Sequence, residues 1–246
     1  MMNPLFTKQV EAVIFDLGDT LICEKRLRYE AVEATLAEVK AINLLSPCDI
    51  ELADLVAAYR SKDARLTGHA VNHLFSDVNM VRELFRELGV LRLDLATYSY
   101  VSMHRSFVMR NLVDSVNARQ VLSELKASGF KIGVLSDGTS IEQFSILAWL
   151  GVIPLLDSVV VSQDVGASKP SKLMFRSVCA ELFVKPDAAL MIGNDLVRDY
   201  HGAIASGLQA LLVDDLSTGP ATREEVVKSI STVQVLPGLL RSAHHD

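Results

Sequence analysis

The chain has 246 residues, half of them apolar and 22% charged, with a formal net charge of −6. That supports a large buried core in one domain, or a domain plus an insertion, and excludes a disordered chain. The acidic balance argues against a nucleic-acid surface, while a locally positive pocket for a small anion stays compatible with it.

The first predicted element is a strand. Ala12-Val13-Ile14-Phe15 is a short continuous apolar run that stops at Asp16, with Gly18 close behind. Such a run reads as a buried strand opening into a loop. From about Glu24 to Asn111 the pattern turns helical: Ala31, Ala34, Leu36, Val39 and Ile42 recur at helix spacing, as do Val81, Leu84, Phe85 and Leu88. Gly68 and Gly89 punctuate these helices. After Val113 short apolar runs alternate with amphipathic helices. Helices are expected at 118–128, 140–150, 172–182 and 199–206. Strands are expected at 132–135, 158–161, 189–192 and 210–213.

This alternation predicts an α/β fold, a parallel sheet covered by helices on both faces, with its ligand beyond the carboxyl ends of the strands. Asp16, Ser136 and Asn194-Asp195 all stand at such ends and would converge if their strands are neighbours. The helical stretch reads as an inserted subdomain. The expected division is a core of 1–23 and 112–246 around an insertion of 24–111.

Taken singly, the polar residues have ordinary readings. Asp16 suits an Asx-turn, Ser136-Asp137-Gly138 a plain turn, Lys169 a solvated loop, and Asp199 a helix start. Their order along the chain points elsewhere. Val13-Ile14-Phe15-Asp16-Leu17-Gly18-Asp19-Thr20-Leu21 resembles the first motif of the haloacid dehalogenase-like superfamily. Val134-Leu135-Ser136-Asp137-Gly138 resembles the second. Ser162, Gly166, Lys169-Pro170 and Phe175 resemble the third, and Gly193-Asn194-Asp195 with Asp199, Gly202-Ala203 and Ser206-Gly207 the fourth.

The resemblance implies a Rossmann-like, doubly wound core with a helical cap inserted between motifs one and two. It implies a magnesium-dependent hydrolase, a phosphatase of a small phosphorylated metabolite. Asp16 would be the nucleophile that forms a covalent intermediate. Ser136, with Asp137 and Gly138, would bind the phosphoryl group, and Lys169 would neutralise charge on nucleophile and substrate. Asp199 would orient Lys169 or the ion's water shell. Mg2+ would lie among Asp16, the Gly18 carbonyl and Asn194 or Asp195.

Two positions depart from the family pattern. Its phosphatases usually carry an acid two residues after the nucleophile, where this chain has Gly18, with Asp19 one place further on. Asn194 stands where Asp is common, and Asp195 follows it. The departures keep two alternatives in view: a metal-independent 2-haloacid dehalogenase-like hydrolase, and a binding or regulatory protein with weakened catalysis.

In the expected cap, Lys25, Arg26, Arg28, Arg60, Lys62, Arg65, His69 and His73 are candidate substrate contacts, each more simply a solvated residue. Tyr98 and Tyr100 are expected to pack the cap, and Trp149 the core. Cys23, Cys48 and Cys179 are widely spaced, with no Cys-x-x-Cys pair, so neither zinc nor a disulfide framework is expected. A reducing, cytoplasmic setting follows. No signal peptide or membrane span is expected, and His244-His245 reads as a solvated tail. The oligomeric state, monomer or homodimer, stays open.

Overall fold

The computed structural model describes residues 6, 8–23, 25–66, 76–114, 116–213 and 228–244. The chain divides into two compact units, Glu24–Leu112 and the remainder, Met1–Cys23 with Val113–Asp246.

The larger unit is built on a six-stranded sheet of order β3-β2-β1-β4-β5-β6. Its strands are β1 (Ala12–Phe15), β2 (Lys131–Ser136), β3 (Ser158–Val161), β4 (Ala189–Gly193), β5 (Gln209–Val213) and β6 (Ser229–Ile230). Every neighbouring pair is parallel. β1, β4 and β5 are buried at every position. That is why they appear in the sequence as unbroken apolar runs rather than alternating ones.

Ile14 pairs with Met191 on one side and Gly133 on the other. Ile14, Leu135, Met191 and Leu212 pack in one cluster with Met174, Phe175 and Val178 of the helix Lys172–Glu181 (α8). Side chains alternate along a strand, so Val13, Phe15, Val134 and Ile192 face the other way, and they too are buried. The helix Ala118–Ala127 (α5) buries Val121, Leu122 and Leu125. The sheet is therefore the α/β, Rossmann-like kind.

From β1 the chain progresses outward through β2 and β3, then returns to the opposite side of β1 for β4 to β6. The direction reverses between β1 and β4, and in open α/β sheets the crevice at such a reversal is where ligands bind. β1, β2 and β4 are direct neighbours with parallel register, so their carboxyl ends share one edge.

The smaller unit is helical: Lys25–Ala41 (α1), Leu52–Leu66 (α2), Ser76–Glu87 (α3) and Leu93–Asn111 (α4). Leu36, Val39, Leu55, Val81, Leu84, Phe85 and Tyr100 form its core. Tyr100 lies edge-on to Phe85 and 5.7 Å from Tyr59. Tyr98 faces outward instead, with Arg82 5.5 Å above its ring. Arg60 lies over Tyr29, and Lys62 pairs with Glu87 at 2.8 Å. These two cations have ordinary surface partners. The side chains of Lys25, Arg26, Arg28 and Arg65, and residues Gly68, His69 and His73, lie outside the described residues.

Several expectations change. Trp149, expected in the core, is 43% exposed. It ends the helix Ser140–Trp149 (α6), whose buried face is taken by Gln143, Ile146 and Leu147. A one-turn helix, Ser162–Val165 (α7), replaces an expected loop. The helix expected from Asp199 starts earlier, as a π-type turn at Leu196–His201 running into Gly202–Ala205 (α9). The carboxyl-terminal stretch forms β6 and the helix Leu236–His244 (α10), so His244 closes a helix. Among the described residues no helix is long and apolar enough to cross a membrane.

Candidate active site

Asp16 is the first residue past β1, and its backbone N–H donates to the Ile192 carbonyl at 2.9 Å, carrying the sheet ladder one rung further. Its carboxylate is held at both oxygens. Lys169 Nζ donates to Oδ1 at 2.5 Å, and Thr20 Oγ1 donates to Oδ2 at 3.3 Å. The same ammonium donates to Asp199 Oδ1 at 2.7 Å. Lys169 and Asp199 side chains are 3% and 2% exposed, against 11% for Asp16. Of the two carboxylates, Asp16 is the one that solvent reaches better.

Asp199 arrives there through its local backbone. Asp195 Oδ1 accepts the N–H groups of Val197 and Arg198, capping the turn. The Asp195 carbonyl accepts N–H groups from both Asp199 and Tyr200, the wide spacing that makes the turn π-like. Such turns are often found at functional sites. Here the widening swings the Asp199 carboxylate back over β4, where its Oδ2 accepts the Asp195 N–H at 3.0 Å. A Cβ on Gly193 would lie 2.4 Å from that carboxylate, so only glycine fits at the end of β4.

Lys169 is fixed through its backbone as well. Its N–H donates to Asp137 Oδ1 at 3.0 Å. Arg198 links the loops after β2 and β4, with Nε donating to Asp195 Oδ2 at 2.9 Å and Nη1 3.5 Å from Asp137 Oδ2. The loop after β2 is tied to α7. Gly138 N–H donates to Ser162 Oγ, Ser140 N–H to Gln163 Oε1, and Ser140 Oγ to Asp164 Oδ1.

Titration behaviour follows from this charge arrangement. Burial by itself would lower the Lys169 pKa, but the charges of Asp16, Asp199 and Asp137 outweigh it and hold the ammonium protonated well beyond its ordinary range. The Asp199 pKa is raised too, to about 6, which for a carboxyl disfavours the charged form: burial raises it, Lys169 opposes that, and the Asp16 charge adds to the rise. One cation shared by two carboxylates leaves the second less well compensated. Asp195 resists its partial burial through hydrogen bonds from Arg198 and lies below the usual carboxylate range.

The structure therefore brings Asp16, Lys169 and Asp199 into direct contact. Ser136, Asp137, Gly138, Asn194 and Asp195 stand on the neighbouring strand ends and loops. Their hydrogen-bonding capacity is more committed than the sequence suggested. Ser136 Oγ donates to Gln143 Oε1 at 2.8 Å. The Asp137 carboxylate serves Lys169 and Arg198, and an acceptor-only group is in any case poor at binding an anion. The Gly138 N–H is taken by Ser162. Both Asp195 oxygens are engaged in its own turn, whereas the Asn194 side chain makes no hydrogen bond among the described residues. Asp19 sits in a left-handed turn, φ 56°. Thr20, read only as part of the first motif, and Gln143 and Arg198 had no role assigned from the sequence. Thr20 four residues after Asp16, and an Arg between Asp195 and Asp199, were the available signals.

A family model for haloacid dehalogenase-like hydrolases matches residues 10–207, which span all these elements. The chain belongs to that family. It is a hydrolase of the haloacid dehalogenase-like fold, and its relatives agree. The glyceraldehyde 3-phosphate phosphatase of Methanothermobacter thermautotrophicus is 29% identical, with 92% of this chain and 95% of that protein covered. Among solved structures, a phosphatase from Thermococcus onnurineus superimposes with a TM-score of 0.71 at 20% identity, covering 94% of this chain and 98% of its own. A 2-haloacid dehalogenase from Pseudomonas syringae does so at 0.70 and 20%, covering 95% and 99%. Phosphatase and dehalogenase share this fold equally, so the fold does not choose between them.

Proposed function

We propose that this hydrolase is a magnesium-dependent phosphatase of a small phosphorylated metabolite, with Asp16 as its covalent nucleophile. The observation that carries the reading is the buried Lys169 ammonium bridging Asp16 and Asp199. It holds the nucleophile in place, and its charge would face the group being transferred. Preorganised charge of this kind is usually the largest contribution to catalysis.

Asp16 would attack phosphorus through Oδ2, the oxygen held only by the longer Thr20 contact. The P–O ester bond breaks, the alcohol leaves, and water then cleaves the aspartyl phosphate. With Gly18 where the family's phosphatases usually carry an acid, the leaving oxygen takes its proton from solvent or leaves as an anion. Substrates with good leaving groups are therefore favoured.

The donor chemistry fits magnesium. Four carboxylates, Asp16, Asp137, Asp195 and Asp199, stand in the hydrogen-bonded network against two cations, Lys169 and Arg198. A phosphate dianion would meet excess negative charge there unless a cation accompanied it. Among the described residues no cluster of three His, Cys, Asp or Glu side chains is arranged for a metal. The available donors are the oxygens of Asp16, the Gly18 carbonyl and Asn194, with Asp195 as a neighbour. Such a hard-oxygen set, completed by water, suits magnesium. When bound, the ion would supply charge neutralisation at the transferred phosphoryl oxygens.

The phosphatase names of the relatives favour phosphorus over carbon as the site of attack, and the Methanothermobacter relative makes triose phosphates the first substrates to try. Free thiols at Cys23, Cys48 and Cys179 suit a reducing, cytoplasmic setting. The purified protein should hydrolyse p-nitrophenyl phosphate and members of a sugar and triose phosphate panel only with magnesium present. Halide release from 2-haloacids, with no phosphate released from any ester, would overturn the reading. Silence on both with an intact fold would favour a binding protein.

A further inference from the structure

Gln143 is a buried polar side chain beside the site for which the reaction above has no use. It lies in the first turn of α6 and is 6% exposed. Its Oε1 accepts the Ser136 hydroxyl at 2.8 Å. Among the described residues this is the one hydrogen bond of its amide. The Nε2 end lies against Gly138, where a Cβ would stand 2.6 Å from it. Gly138 has φ 138°, a backbone conformation open to glycine, and its missing side chain is the space the amide occupies.

A serine hydroxyl has one proton to give. Here Gln143 receives it, so the site is offered lone pairs. A phosphoryl oxygen also has only lone pairs and needs that proton. The two ends of a glutamine amide have the same outline but opposite polarity. Turning the amide over makes Nε2 the donor to Ser136 Oγ and frees the hydroxyl proton for an anion.

We propose that Gln143 is a positioning residue for anion binding: its amide turns over as a phosphoryl group enters, converting Ser136 from a donor to Gln143 into a donor to the substrate. The inference rests on the phosphatase reading. Ser136 does the touching and Gln143 sets which way its proton points.

Q143E is the sharpest probe, because an ionised carboxylate keeps the shape but can only accept. It should raise KM for p-nitrophenyl phosphate and the inhibition constant of inorganic phosphate about 10–100-fold, the effect of losing a hydrogen bond to a charged group, with kcat changed less. Q143M, which neither captures the proton nor orients it, should cost only a few-fold. S136A should lose as much as Q143E, and Q143E in the S136A background should lose nothing more. Simple repulsion by the new charge would persist in that background. Losses that multiply, or an unaltered Q143E beside an active wild type, would overturn the inference alone. A wild-type chain that neither binds nor hydrolyses phosphate compounds would overturn the phosphatase reading and this inference with it. Q143M keeps the question decidable if Q143E fails to fold: a Q143M loss as large as that of S136A would also overturn it.

Discussion

Lys169 carries two burdens, and a substitution there should expose both. Replacing it with Met leaves Asp16 and Asp199 facing each other without their shared cation. Removing one partner from a buried ion pair typically costs about 3–5 kcal/mol. K169M should therefore lower the midpoint of denaturant unfolding as well as abolish turnover. Adding D199N removes the uncompensated charge, so the double variant should regain stability while staying inactive. If K169M unfolds at the wild-type midpoint, the ammonium is not compensating those carboxylates. At the same scale lies the main difference between sequence and structure. Asp16, Ser136 and Lys169 could be placed because each ends or follows an apolar run or a recognisable motif. Gln143, which takes the Ser136 proton, and Arg198, which ties Asp137 to Asp195, could not, because they are ordinary polar residues until the fold brings them to the strand ends.

At the scale of elements, the end of β4 and the π-type turn after it act together. Gly193→Ala would drive a methyl into the Asp199 carboxylate. We expect it to cost about 1–3 kcal/mol, the usual range for overpacking, and to lower activity by displacing Asp199 from Lys169. A variant with wild-type kinetics would show that Asp199 can move without consequence.

A second element-level prediction concerns Asp157, which precedes β3. It accepts the Ile132 N–H at the start of β2 at 2.8 Å and pairs with Lys126 of α5 at 2.5 Å. Some burial opposes ionisation, but Lys126 and the Ile132 N–H overcome it and depress the carboxyl pKa. A depressed folded pKa stabilises above the unfolded value, and that stabilisation is lost as pH falls through the folded one. D157N should thus be about 1 kcal/mol less stable near neutral pH, a modest figure because the carboxylate is a third exposed. The gap to wild type should close in acid. A gap independent of pH would mean that shape, not charge, holds this corner.

Short elements were the ones hidden in the sequence. α7 has four residues and β6 two, too few for any periodicity to show. α10 carries Pro237 and Gly238, residues that ordinarily disfavour a helix. Proline is tolerated in a helix's first turn, and buried Leu236 and Leu240 hold the helix down.

Over the whole molecule, the parallel sheet was legible because its central strands are buried on both faces and read as pure apolar runs. The strand order was not legible, since nothing local states that β1 lies between β2 and β4. That order makes a site out of residues as distant as Asp16 and Asp199. The proposed cation requirement also belongs to this scale. On the proposed reading, an acidic protein of net charge −6 whose candidate site network holds more carboxylates than cations would need a counter-ion to bind phosphate. Inorganic phosphate should bind at least tenfold more tightly with magnesium than with EDTA, by calorimetry. Equal affinity in both would remove the electrostatic reason for the ion.

The most direct measurement is to catch the covalent intermediate. The protein is mixed with magnesium and a phosphate ester, quenched in acid within one turnover, reduced with borohydride and digested for peptide mass analysis. Aspartyl phosphate is reduced to homoserine, and the expected result is that conversion at position 16, dependent on substrate. An active enzyme showing the modification at another residue, or none under conditions that trap an aspartyl phosphate of known reactivity, would contradict Asp16 as the nucleophile.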